Sequence, residues 1–361
     1  MTTEVVIVGG GIVGCMTAME LVERGIRVTI VERNAIASQT SGESSWAGGG
    51  IIFPLLPWSY SEEVNSLTRN ASQSYQKICD RLFKETGIDC GFEQSGFLLL
   101  PEFDRSKAST WCDSNQVPYE ETKASYFGVD SPNGQDSLFL PSVCQVRPPF
   151  FMQALRKWLE QNKVKMIEHT QLLPIKTTGH LNSWKSVNGE MFEADKFVVT
   201  SGAWSYELLK EVANKLQIKP MRGQILLYKP DRKLINHIVY RNGFYLIPRK
   251  DGFLLAGSTL EDVGFDPSVT EEVKAELALK AEAILPELKN SPILKHWCGL
   301  RPGTPENMPT ISSHPHIDNL FLNTGHFRYG LTMAPASAKL ICDLMTHQVP
   351  LINPESFTLK E

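Results

Sequence analysis

Residues 5 to 14 read VVIVGGGIVG, an apolar run followed by Gly9, Gly10, Gly11 and Gly14. Val5 to Val8 has the β-branched character of a strand, Ile12 to Arg24 runs without proline and suits a helix, and Val28 to Val31 reads as a second strand ending at Glu32. Strand, glycine turn, helix and strand within about thirty residues make a βαβ unit. In that context Gly9 serves the tight turn, Gly11 lets a pyrophosphate lie against the backbone, and Gly14 lets the helix pack closely on the sheet. The N–H groups at the helix start supply the positive end of the dipole. Glu32 is placed to accept hydrogen bonds from ribose hydroxyls, with Arg33 beside it, and its charge would repel a 2′-phosphate. NADP is therefore disfavoured, and the unit alone leaves FAD and NAD open.

Farther on, 62 to 86 carries an amphipathic helical pattern, 104 to 116 a shorter one, and 92 to 100 looks extended. A helix is expected over 147 to 162, started by its two prolines, then a strand over 165 to 168. Residues 194 to 209 repeat strand, small-residue turn and helix around Gly202. The stretches GQILLY, HIVYRNGFYLIPRKDGFLLAGST and HWCGLR read as antiparallel strands, with an Asp-Gly turn at 251 and 252 and a helix over 270 to 284 between them. Residues 319 to 347 return to strand, glycine turn and long helix. The expected fold is α/β: a discontinuous Rossmann-like nucleotide domain (1–85, 142–218 and 300–361) around a substrate domain with a large antiparallel sheet (86–141 and 219–299).

With 361 residues and 42% hydrophobic content, a chain of this kind buries a sizeable core in about two domains. A net charge of −4 without charge blocks argues against nucleic acid and against a polybasic membrane patch. The seven cysteines are scattered without zinc-like spacing, which suits reduced thiols in a cytoplasmic protein. The segment GGGIIFPLLPW is broken by Pro54 and Pro57 and is too short to span a bilayer. His314 and His316 form an H-x-H with no third partner in view, so no metal site is expected and a surface turn is the better reading.

Four blocks carry a family resemblance: VVIVGGGIVG, SGESSWAGGGII (41 to 52), GLRPGTPENMPTI (299 to 311) and TGHFRYGLTMAPASAKLICDLM (324 to 345). Together, in this order and over essentially the whole length, they resemble the D-amino acid oxidase superfamily of flavoproteins, most closely its glycine oxidase branch. The resemblance implies non-covalent FAD, since the Gly-Leu-Arg-Pro block lacks a flavin-linking cysteine downstream; Cys298 reads as a buried thiol. It further implies that Thr40, Ser41, Ser45, Gly49, Gly50 and Ile51 run along the cofactor, and that His326, Arg328, Tyr329, Gly330 and Leu331 lie at a turn and helix start near the flavin. A helix N-terminus there would favour the negative charge of a reduced ring. His326 itself reads more simply as a hydrogen-bonded residue holding the turn. Glu43 is a carboxylate in a segment meant to flank a pyrophosphate, where it must point away or pair with a cation.

By the same resemblance Arg301 is the guanidinium that takes the substrate carboxylate, a planar fork suited to two parallel hydrogen bonds, and it also borders the cofactor. Tyr245 matches the tyrosine that donates to that carboxylate, and Arg328 is a second cation at the pocket. Arg249 and Lys250 precede the Asp-Gly turn and are expected to be solvated. FPLLPWSY (53 to 60) is a candidate pocket wall or a plain buried loop, and Leu260 belongs to a loop that helps set pocket size. The implied reaction is oxidative deamination of glycine or small D-amino acids, N-methyl glycine among them. Hydride passes from Cα to flavin N5, the imine hydrolyses to an oxo acid and ammonia, and oxygen is reduced to hydrogen peroxide. The alternative is a dehydrogenase that passes electrons to a quinone. A homo-oligomer is implied by analogy only.

Overall fold

The computed structural model describes residues 3–131 and 134–359. The expected βαβ unit forms: strands Glu4–Val8 and Arg27–Val31 pair in parallel around helix Ile12–Glu23. They belong to a six-stranded sheet in the order Thr310–His314, Ile317–Thr324, Lys196–Val199, Glu4–Val8, Arg27–Val31, Lys165–Ile167. Its pairs are parallel except the first, which is a hairpin. Alternate side chains of the first strand feed different cores, as a pleated strand requires. Val5 and Ile7 pack with helices Ile12–Glu23 and Gly330–Met345, whereas Val6 and Val8 pack with Phe197, Leu209 and Leu320 on the other face.

The second sheet has eight strands, ordered Ile293–Gly303, Lys219–Tyr228, Leu254–Gly257, Phe244–Pro248, Ile238–Arg241, Phe97–Leu99, Ser137–Leu140, Glu120–Thr122. It is antiparallel apart from one parallel pair, Ile238–Arg241 with Phe97–Leu99. Helix Glu271–Ile284 covers one face with Leu277, Ala281 and Ile284, and Thr270 caps its start by accepting the Val273 N–H. The other face carries Ile225, Tyr245, Ile247 and Leu255 and packs with Ile51, Phe53, Leu56, Trp58 and Trp111. The loop that follows strand Arg27–Val31 is tied to the large sheet at Gly42, whose carbonyl accepts the Leu300 N–H at 2.9 Å.

Two local expectations are corrected. The pattern over 62 to 86 is two helices, Glu62–Thr68 and Ala71–Thr86, because Arg69 is extended and Asn70 is left-handed at φ +62°. Asparagine tolerates that conformation, so the chain turns without losing its apolar periodicity. Of the H-x-H pair, His316 sits in an exposed turn as expected, but His314 does not: it is 3% exposed in a strand, with Nε2 3.1 Å from the Val212 carbonyl oxygen. No group of three metal-ligating side chains occurs among the described residues, and none of their helices is long and apolar enough to cross a membrane. All seven cysteines are free and buried.

Candidate active site

A single elongated cavity runs from the glycine turn to Arg301. At its first end the backbone sits very close to itself. Gly9 has φ +113°, and a Cβ there would lie 2.8 Å from the Thr200 carbonyl oxygen; a Cβ on Gly14 would lie 2.0 Å from the Gly9 carbonyl oxygen. Only glycine fits either place. No capping side chain on Gly11 blocks the helix start, and the Ile12 N–H is held by Ser45 Oγ at 2.9 Å. Glu32 Oε2 accepts the Gly10 N–H at 2.7 Å and Oε1 the Asn34 N–H at 2.9 Å, which fixes the carboxylate at the cavity wall with lone pairs to spare.

Arg33 also lines this end, its guanidinium 3.6 Å over the Trp204 ring, and Phe265 stacks on the far side of that ring. Burial holds the Arg33 guanidinium below its ordinary pKa. Glu43 faces the cavity without a cation bonded to it. It accepts from Asn34 Nδ2 at 2.6 Å and from Ser38 Oγ, and burial pushes its carboxyl up. Of the small-residue segment, Ser45, Gly49, Gly50 and Ile51 line the cavity and Thr40 and Ser41 do not. Ser41 Oγ bonds the Pro267 carbonyl, and the Thr40 carbonyl accepts the Trp46 indole N–H, so both brace the loop from behind.

The other end is built from the large sheet and the last turn. Arg301 lies on strand Ile293–Gly303, opposite Met221 and diagonal to Gly223. A Cβ on Gly223 would lie 2.0 Å from Arg301 Nη1, so the guanidinium lies across a bare stretch of backbone. Nη2 donates to Ser258 Oγ at 2.8 Å and Nη1 to the Thr259 carbonyl at 3.2 Å. No carboxylate bonds it. Burial pulls its pKa down, while the neighbouring Tyr245 hydroxyl works in the opposite sense and Arg328 adds to the fall. Tyr245 lines the cavity from strand Phe244–Pro248 of the same sheet, its ring 3.3 Å from where a Gly49 Cβ would sit. Arg328 is exposed on the cavity lining, its guanidinium 5.5 Å from the Phe327 ring centroid.

Gly202, His326, Tyr329, Gly330 and Leu331 complete the lining. The reading of His326 as a hydrogen-bonded residue is corrected for its side chain. Nε2 is buried without a partner, and only the carbonyl holds the turn, accepting the Tyr329 N–H at 3.0 Å. Burial drops its pKa to about 3, so the ring is neutral. Arg249 corrects a second expectation. It is 4% exposed and donates to Gln145 Oε1, the Val146 carbonyl and the Gly49 carbonyl, which fixes the glycine run against Tyr245. Burial, reinforced by Arg147, lowers its pKa to about 9. Lys250 is exposed as expected. Trp204, Ser201 and Ser258 line the cavity without any spacing signal that would have nominated them.

Residues 4–344 match the model of the FAD dependent oxidoreductase family. The chain belongs to this family. As a member it takes FAD as its cofactor. It is 38% identical to a glycine oxidase of Pseudomonas aeruginosa and 35% identical to one of Pseudomonas putida, in each case over 99% of this chain and 98% of the relative. The crystal structure of glycine oxidase from Geobacillus kaustophilus superposes with a TM-score of 0.89 over 100% of this chain and 99% of that one, at 24% identity, a likeness of fold. The family member's own cavity suits the cofactor: the glycine cradle leaves backbone exposed, and two buried acceptors without partners, His326 Nε2 and Asn323 Oδ1, belong to lining residues. Gly9, Gly11, Glu32 and Ser45 would hold the dinucleotide end, with Gly49, Gly50, Gly330 and Leu331 at the ring.

Proposed function

We propose that this cavity oxidises glycine and small D-amino acids, N-methyl glycine among them. The chain is an FAD-dependent amino acid oxidase; the substrate is our reading. The observation that carries it is Arg301, a half-buried cation that among the described residues bonds neutral oxygens and opens onto the cavity. An unpaired charge in such a place is costly, and a substrate carboxylate supplies the missing partner through two parallel hydrogen bonds. Tyr245, three strands along the same sheet, donates the next hydrogen bond.

With the carboxylate clamped, Arg301 and Tyr245 fix where Cα lies, and orientation supplies much of the rate. Bound FAD supplies the chemistry: two-electron oxidation of the carbon–nitrogen bond, with the electrons passed on to oxygen. The acids that line the cavity, Glu32, Glu43 and Glu207, belong to the Arg33 and Trp204 end. Neutral His326 is left without a charge to exchange near neutral pH. No side chain is therefore assigned to take a proton from the amine, which reacts as its free base. The test is anaerobic: glycine, N-methyl glycine and D-alanine should bleach the bound flavin and L-alanine should not. Under air, stoichiometric peroxide supports an oxidase; bleaching without peroxide returns the quinone-linked alternative.

A further inference from the structure

Beside the amino acid cavity lies a second, open cleft of about 440 Å³, within the size range of small-molecule sites and lined by Trp58, Tyr60, Asn65 and Trp111 among others. The two spaces share a wall. Tyr329 lines the inner cavity and its hydroxyl donates to the Tyr60 hydroxyl, at 2.7 Å, with the rings edge to face at 5.2 Å. Phe53, also of the inner lining, meets Trp111 of the outer cleft edge to face at 6.2 Å. Two rings, Tyr329 on the inner side and Tyr60 on the outer, thus stand between the cavity and the cleft. This wall stands at the substrate end: Phe53 packs on Phe97 at 6.1 Å, Phe97 on Tyr240 at 5.6 Å, and Tyr240 pairs with Tyr245 across the strands.

The wall is held on its outer side as well. Pro54 and Pro57 stiffen the segment, the Pro57 carbonyl accepts Asn65 Nδ2 at 3.0 Å, and Ser61 caps helix Glu62–Thr68. Asn65 Oδ1, on the cleft side, is buried without a partner.

We propose that Tyr60, packed behind Tyr329, is the positioning residue that limits this enzyme to small amino acids, and that the cleft beyond is the space into which Tyr329 would swing, admitting a large apolar side chain, if the Tyr60 ring were absent. The inference rests on the assignment of the inner cavity to an amino acid. A wall that excludes added bulk by contact alone discriminates by about 10- to 200-fold.

The test compares wild type, Tyr60→Phe and Tyr60→Ala as holoenzymes with glycine, D-alanine and D-phenylalanine, together with binding of phenylacetate against acetate read from the flavin absorption band. Tyr60→Ala should raise the D-phenylalanine to glycine ratio of kcat/KM by about tenfold or more and tighten phenylacetate relative to acetate. Tyr60→Phe keeps the ring and should leave both ratios within about threefold of wild type. The partition is overturned if Tyr60→Ala retains flavin and glycine turnover with both ratios unchanged, or if wild type already uses D-phenylalanine as well as glycine. If Tyr60→Ala loses its flavin, Tyr60→Leu in the same assays decides by the same criteria. Failure of every amino acid to bleach wild-type flavin removes the amino acid reading itself, a result separate from unchanged ratios.

Discussion

Two arginines sit almost side by side on the large sheet and live in opposite surroundings. Arg222 faces Leu300 in the register between strands Lys219–Tyr228 and Ile293–Gly303, and Arg301 faces Met221, one pair along and on the other side of the pleat. Arg222 is 5% exposed and fully answered: Nη2 bonds Glu261 at 2.6 Å, and Nη1 bonds Asp266 at 2.8 Å and the Ser268 carbonyl at 3.0 Å. Arg301 has a hydroxyl and a carbonyl and no acid. Thr259 joins the two, its hydroxyl bonded to Glu261 and its carbonyl to Arg301. A neutralised cation belongs to the architecture. One left unneutralised beside a cavity marks the place where the protein leaves a partner to be supplied.

The largest expected effect breaks the comparison on the Arg301 side. Arg301→Ala should lower kcat/KM for glycine by about 2–5 kcal/mol of transition-state binding, tens- to thousands-fold, with flavin content unchanged. Steady-state kinetics on the flavin-loaded variant measure it, and an unchanged KM would remove Arg301 from the site. Arg222→Ala should do the reverse, costing about 2–3 kcal/mol of stability in urea titrations while a folded fraction keeps its KM. That figure is at or below the low end for a broken buried pair because Asp266 is half exposed. Gly223→Ala sharpens the contrast. The three atoms nearest the added methyl all belong to the Arg301 guanidinium, the far end of a flexible side chain, so the fold should tolerate it while the displaced guanidinium raises KM by about tenfold, or ~1.4 kcal/mol.

How legible each region was in the sequence follows from the range of its contacts. The glycine turn could be read because its constraints are local and steric: Gly9 and Gly14 are glycine owing to atoms of one turn and its neighbouring strand. Arg301 could be read from the resemblance of its block, but its lack of an acidic partner depends on where residues 258 to 268 fall. Arg249 was misread because it stands before an Asp-Gly turn, as solvated residues do. The acceptors that bury it are 104 and 200 residues distant. The break at Asn70 left no trace in the apolar spacing on either side. Tyr60 was one residue of an ambiguous wall, and its role emerges only when Tyr329, 269 positions later, meets its hydroxyl.

The smallest effect concerns acid. Burial alone would push the Glu261 carboxyl up, but Arg222, Thr259 and Gln224 outweigh it and hold it below its ordinary value of 4.5. A carboxyl whose folded pKa is depressed adds stability above its unfolded pKa and gives it up as pH falls through the folded one. Glu261 should therefore contribute fully above about pH 4.5 and progressively less below. Glu261→Gln should lower Tm at pH 7 by the equivalent of about 1 kcal/mol, since Arg222 keeps Asp266, and the gap from wild type should close as pH drops below 4.5. Because Thr259 carries the same carboxylate on its hydroxyl and Arg301 on its carbonyl, the KM for glycine should move by less than about threefold in this variant. A larger shift in KM than in Tm would mean that the neutralised arginine and the open one form one electrostatic unit, and the contrast between them would fail.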